Sequence, residues 1–204
     1  MMASLFKDFF RDRRGAAMLE FTAIVLLMFT MVFGIIDFGR AFWLWNSAEK
    51  ATQIGARAAI IADPVAPELA TFDCDNGGVL LGTPCRLGGD SFGAISCSGS
   101  TSNCSVSGGT LGSATFDNTP FNMILSRMQV SYPSLQTANV VVEYRDIGLG
   151  FAGRQDGPVP AVTVRLTGLT YNFLTLGNLL GLGPITMPDF KTTLIGEDLS
   201  SAGR

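Results

Sequence analysis

The side chains in this sequence that could do chemistry are few, and their spacing narrows what they can do. Cys74, Cys85, Cys97 and Cys104 stand at gaps of 11, 12 and 7 residues. There is no C-x-x-C pair, and the chain has no histidine to complete a zinc site or to activate a serine or cysteine nucleophile. Glu68, Asp90 and Glu143 are available as carboxylates, but no two of them form a catalytic pair legible from spacing. The sequence therefore predicts no catalytic residue, no metal and no cofactor. An even number of cysteines beyond a membrane segment predicts disulfides. Three pairings are open, and short loops close at the lower entropic cost, which favours Cys74 with Cys85 and Cys97 with Cys104.

Two further stretches imitate ligand-binding motifs. Asp73-Cys74-Asp75-Asn76-Gly77-Gly78 opens like a calcium loop, yet Pro84 stands where a bidentate glutamate is needed, so a hydrated turn is expected. Gly148-Leu149-Gly150-Phe151-Ala152-Gly153 fits G-x-G-x-x-G after a strand. A helix should follow to carry a phosphate, and Asp156-Gly157-Pro158-Val159-Pro160 forbids one, so a flexible hairpin connection is expected instead.

The remaining candidate is Glu20, the only ionisable side chain between Ala16 and Ile36. Those 21 residues span roughly 31 Å as a helix, the thickness of a bilayer's hydrocarbon. A carboxylate within such a span costs at least a few kcal/mol unless it is paired or reaches the interface. Lys7, Arg11, Arg13 and Arg14 outweigh Asp8 and Asp12 before the span, while the chain as a whole carries a net charge of −3. The positive-inside rule thus places residues 1–15 in the cytoplasm and Asp37 onward outside. The acidic outer part makes nucleic acid an unsuitable partner. Phe38, Phe42, Trp43 and Trp45 follow as an aromatic belt would. A cleaved secretory signal fits less well, since the apolar run is too long and Gly34-Ile35-Ile36-Asp37 offers no small-residue site.

The helix has no reason to stop at Asp37. Good helix formers continue to Ala62, where Asp63-Pro64 ends it, giving a rod of 47 residues. Its outer half carries Ala41, Ala48, Gly55 and Ala62 in one heptad row and Leu44, Ala51 and Ala58 in the next. Such a stripe lets another backbone approach closely, either the protein's own outer domain or a neighbouring subunit.

Arg13-Arg14-Gly15-Ala16-Ala17-Met18-Leu19-Glu20-Phe21, then Gly34-Ile35-Ile36-Asp37-Phe38-Gly39-Arg40-Ala41 and Gly55-Ala56-Arg57, resembles the TadE-like minor pseudopilins of bacterial tight-adherence (Flp-type) pilus systems. Asp37 stands where such sequences often have glutamate. The resemblance implies cleavage by a prepilin peptidase between Gly15 and Ala16, with Glu20 at the fifth mature position. Glu20 would then pair with the new amine of a neighbour's Ala16 inside lipid. It further implies an inner-membrane, single-pass protein whose partners are the peptidase and other pilins or pseudopilins, with the cell surface as the place reached on assembly. The rival reading is a signal-anchored binding or adhesion module outside any filament.

Beyond the rod, Gly, Ser and Thr fill 17 of the 26 places in 88–113, so 63–119 is expected to be mostly loop ordered by disulfides. Asn118-Thr119-Pro120 can start a helix whose buried face is Phe121, Ile124, Leu125 and Met128. Val140, Val142 and Tyr144, and then Val162, Val164 and Leu166, alternate with polar residues as half-buried strands do, and a last strand is expected over Phe190 to Ile195. The apolar cluster from Tyr171 to Leu182 is broken by Gly177, Gly181 and Pro184. It is too interrupted to cross a bilayer and should pack on the sheet or the membrane surface. The expected class is α+β and pilin-like, with a long amino-terminal helix, transmembrane in its first half, on a small antiparallel sheet. Its divisions would be a leader (1–15), a membrane span (16–36), the helix's outer continuation (37–62), the disulfide-bonded region (63–119), and helix plus sheet (120–204).

Overall fold

The computed structural model describes residues 15–75, 77–153, 158–175, 177 and 181–196. The chain divides into two compact units, one of Met1–Phe42 with Tyr171–Ile185 and one of Trp43–Thr170 with Thr186–Arg204. Helix α1, Ala16–Ala59, contributes to both. It ends three residues before the expected Ala62: Ile60 N–H still donates to Ala56 O, and Ile60 to Ala62 then form a turn and bend ahead of Asp63-Pro64.

The larger unit is built on a five-stranded antiparallel sheet in the order β2-β1-β3-β4-β7. Its strands are β1 (Ala94–Ser98), β2 (Asn103–Ser107), β3 (Val140–Gly150), β4 (Pro158–Leu166) and β7 (Phe190–Ile195). The two-residue strands β5 (Thr170–Tyr171) and β6 (Ile185–Thr186) form a separate ladder. The class is α+β. The alternation read from the sequence sets the sheet's faces: Val140, Val142, Tyr144, Val162, Val164 and Leu166 are all fully buried. Val142 lies opposite Val164 and Tyr144 opposite Val162. The ladder between β3 and β4 shifts register between Arg145 and Leu149, where Gly148 takes a positive φ of 69°.

Strands β1 and β2 lie inside the stretch whose composition predicts loop. Ile95 and Cys97 alternate with Ser96 and Ser98 over five residues, a period-two signal hidden by the small polar residues that face water. Cys97 stands directly opposite Cys104 in the ladder, and the two are joined by a disulfide. Cys74 is joined to Cys85, whose sulfur lies at the start of the short helix α3, Cys85–Gly88; another short helix, α2, covers Glu68–Thr71. Gly82 N–H donates to Ala152 O and Ala152 N–H to Thr83 O, so this disulfide loop is laced to the end of the β3–β4 hairpin.

Helix α4, Asn118–Gln129, buries Phe121, Ile124, Leu125 and Met128 as its spacing predicts. The cap is one residue earlier than expected: Asp117, in extended backbone, accepts from Thr119 N–H at 2.8 Å. The outer half of α1 meets α4 and β7. Ala48, Ala51, Thr52, Ala56 and Ala59 are buried, Trp45 packs edge-on against Phe190 at 4.9 Å, and Thr52 shares a 2.9 Å hydroxyl bond with Thr192. Past α1, Val65 N–H donates to the fully buried Tyr144 hydroxyl at 2.9 Å, and Val65 O accepts from Asp117 N–H. Burial raises the Tyr144 pKa well above that of an ordinary phenol, against the pull of the Val65 bond, so the group stays neutral.

Gly55 is where the small-residue stripe is most constrained, since a Cβ there would lie 2.6 Å from Met128 Sδ. Gly55→Leu should therefore destabilise the sheet unit by about 1–3 kcal/mol through overpacking. The check is the unfolding midpoint of the detergent-solubilised protein, and an unchanged midpoint would show that Met128 does not hold this face.

Candidate functional site

From Ala17 to Ile36 no residue is buried, and apolar side chains surround the whole circumference: Met18, Leu19, Phe21, Ile24, Leu27 and Met31 are all exposed. A helix with no polar side has no face for water, and α1 is long and apolar enough to cross a membrane. Thr22 and Thr30 are accommodated by donating their hydroxyls to Met18 O and Leu26 O, at 2.7 and 2.8 Å. The aromatic belt expected after the span divides in two. Phe38, Phe42 and Trp43 are exposed, while Trp45, also exposed in part, has one side of its ring packed on Phe190.

Gly15 is exposed at the residue before α1, and a side chain placed there would meet nothing within 4 Å among the described residues. Ala16 begins the helix. Glu20 follows one turn later on the same face, exposed among apolar neighbours. The rest of the leader expected over 1–15 lies outside the described residues. The stripe Ala41, Ala48, Gly55 and Ala62 is half-buried at Ala41 and buried at the other three.

The carboxylates considered for catalysis occupy three separate places. Glu68 Oε1 accepts from Thr115 N–H and Oγ1, at 2.9 and 2.7 Å. Burial would raise its pKa, but those hydrogen bonds outweigh it and the net shift is downward. Glu143 is ion-paired with Arg165 on the wet face of the sheet. Together with Ser96, Arg145, Thr163 and Lys191 the pair lines a shallow polar concavity of about 650 Å³. Asp90 lines a smaller hollow with Arg86 and Asp146. The calcium-like stretch is a turn: Asp75 Oδ1 accepts from Gly77 and Val79 N–H, and both Asp73 oxygens accept from Gly153 N–H. Gly148 to Gly153 ends β3 and begins the hairpin connection, whose residues 154–157 lie outside the described residues.

The feature that sequence reasoning missed is at Asp37, where the apolar run ends. Asp37 is 1% exposed. Its Oδ1 accepts from Leu174 N–H at 3.2 Å, and its Oδ2 accepts from Thr175 N–H at 3.1 Å and Thr175 Oγ1 at 2.7 Å. Its backbone carbonyl takes the Tyr171 hydroxyl at 2.7 Å. The same segment adds ring contacts: Phe173 lies edge-on to Phe38 at 6.2 Å and to Tyr171 at 5.2 Å, and Arg40 sits over the Tyr171 ring at 5.6 Å. Burial, followed by the Asp37 charge, raises the Tyr171 pKa against the opposing pull of Arg40. The hydroxyl therefore remains a donor at neutral pH. Among the described residues, those from Tyr171 to Thr175 pack on the helix. An acid directly following the uncharged run from Phe21 to Ile36 is the signal that could have found this site; its partners, some 137 residues away, carry none.

Residues 15–57 match the model of a family described as TadE-like protein. The match covers 43 of the 204 residues and is a similarity of this segment. The TadE-like match begins at the exposed Gly15, takes in Glu20 and Asp37, and ends two residues before α1 does. No curated protein and no solved structure matches the chain.

Hydrogen bonds to an ionised group contribute about 1.5–3 kcal/mol each, against about 2.5–3.5 kcal/mol for placing an aspartate at the centre of a membrane helix. Three donors are therefore enough to hold Asp37 at the end of the span. In Asp37→Ala, amide hydrogen exchange at Leu174 and Thr175 should quicken about tenfold or more, with amides of β3 and β4 unchanged. Equal exchange in both proteins would show that the carboxylate does not hold the segment.

Proposed function

We propose that this protein is a minor pseudopilin of a tight-adherence, type IV-like pilus, cut by a prepilin peptidase between Gly15 and Ala16 and taking part in priming, capping or tip formation. The observation that carries this reading is the TadE-like match over 15–57, with Glu20 exposed one turn into an apolar helix. Cleavage after Gly15 creates a cationic amine on Ala16. Within a bundle of such helices, Glu20 of one chain meets the amine of the next, and the pair removes the cost of either charge in lipid. An unpaired neighbour leaves that cost in place, so the pair sets the axial register.

The basic residues before the span orient it with residues 1–15 in the cytoplasm and the sheet unit outside, where its two disulfides are stable. The partners are the membrane, the peptidase and other pilins of the same system. The role is structural: the chain is a substrate of the peptidase and an assembly component. The polar concavity on the sheet favours one second reading, a signal-anchored binding module that keeps its leader.

The two readings separate on the mass of the protein from cells with and without the peptidase. Residues 1–15 should be missing only when the enzyme is present, and a chain of full mass in both would remove the central step. Glu20→Leu should insert into the membrane normally yet co-purify with pilin partners about tenfold less well, the loss of one charge pair in lipid. Unchanged co-purification would leave the register to the small-residue stripe.

A further inference from the structure

The segment Tyr171–Ile185 belongs to the same compact unit as the lipid-facing half of α1. It reads Tyr-Asn-Phe-Leu-Thr-Leu-Gly-Asn-Leu-Leu-Gly-Leu-Gly-Pro-Ile and contains no charged side chain. In water such a segment would turn its leucines inward. Here Leu174 is 62% exposed, Leu182 46% and Ile185 52%. The backbone of Tyr171 to Thr175 is nevertheless held in place, by the three donors from Leu174 and Thr175 to Asp37, by the Tyr171 hydroxyl on Asp37 O and by Phe173 on Phe38. A side chain on Gly177 would press on Leu182 O at 3.3 Å and Phe173 Cβ at 3.4 Å. Residues fastened in this way that still present Leu174, Leu182 and Ile185 outward are suited to meet an apolar surface.

The position on α1 identifies that surface. Asp37 directly follows the uncharged run that ends at Ile36, so the segment is fastened one turn from the helix's last lipid-facing residues, Ile35 and Ile36, and beside the exposed Phe38 and Phe42. We propose that Tyr171–Ile185, clamped to α1 at Asp37, is a second membrane contact that lies in the interfacial layer of the bilayer. Its exposed surface continues the lipid-facing surface of α1, and its lack of charge makes the contact apolar and independent of anionic lipid. Asp37 is then a carboxylate solvated by protein donors where headgroup water thins out. The inference rests on the membrane span and not on cleavage at Gly15, so the mass experiment above does not bear on it.

The test uses the full chain in vesicles of zwitterionic lipid. A nitroxide is placed singly at Leu174→Cys, Leu182→Cys, Leu27→Cys or Thr193→Cys, the native cysteines being occupied in disulfides. Accessibility to oxygen, which concentrates in lipid, is compared with accessibility to a water-soluble nickel chelate. Leu27 should be the deepest position and Thr193 fully aqueous, with Leu174 and Leu182 between them and at least severalfold less open to the chelate than Thr193. Adding Asp37→Ala should move Leu174 toward the aqueous value and leave Leu27 unchanged. Labels at Leu174 and Leu182 that match Thr193 would overturn the proposal, and so would labels shielded from both probes, which would mean that a neighbouring subunit covers the segment. A Leu27 label open to the chelate would remove the span itself, and this contact with it.

Discussion

Helix α1 serves two solvents in succession, and the rest of the fold is arranged around that change. Up to Ile36 its apolar side chains face in every direction and none is buried, which suits hydrocarbon. From Ala48 the burial narrows to one stripe of small residues, which suits a protein surface at close range. Between these stretches the helix needs a polar boundary, and Asp37 supplies it without breaking the backbone. A carboxylate there is made tolerable by the hydrogen bonds that Leu174 and Thr175 donate to it.

Each unit solves a shortage of core in a different way. The sheet unit buries one face of β3 and β4 against α1 and α4, and secures its Ser- and Gly-rich flank with two local disulfides. The sheet's polar side pairs Glu143 with Arg165 among serine and threonine side chains. In the other unit the hydrogen bonds to Asp37 and the Tyr171, Phe173 and Phe38 rings give order, while the larger apolar side chains remain outside.

Where one face of an element is apolar and the other polar, the sequence was readable. The alternation of Val140, Val142 and Tyr144 and the three-and-four spacing of Phe121 to Met128 each impose a period that only one element satisfies, whereas the uncharged run from Phe21 to Ile36 has no period and is legible by its length. Strands β1 and β2 escaped because Ser96, Ser98, Ser105 and Ser107 dilute the alternation to a pattern that also describes a loop. The clamp at Asp37 escaped for a different reason: hydrogen bonds between distant backbone amides and a carboxylate leave no mark on the amide residues' identities. Leu174 contributes only its N–H, which every residue but proline has. The spacing of Gly15 and Glu20, by contrast, is a feature of consecutive residues on one helix and can be read without any folded context.

The contacts of Asp37 also have an order in time. Its amide partners come 137 and 138 residues later in the chain, whereas the disulfides close over separations of 11 and 7. During synthesis α1 is complete while Leu174 and Thr175 have not been made. The carboxylate therefore has only water to meet it until the chain is nearly finished, and gives that water up when those two residues arrive. The contact at Asp37 is thus closed late, long after each disulfide loop has both of its cysteines.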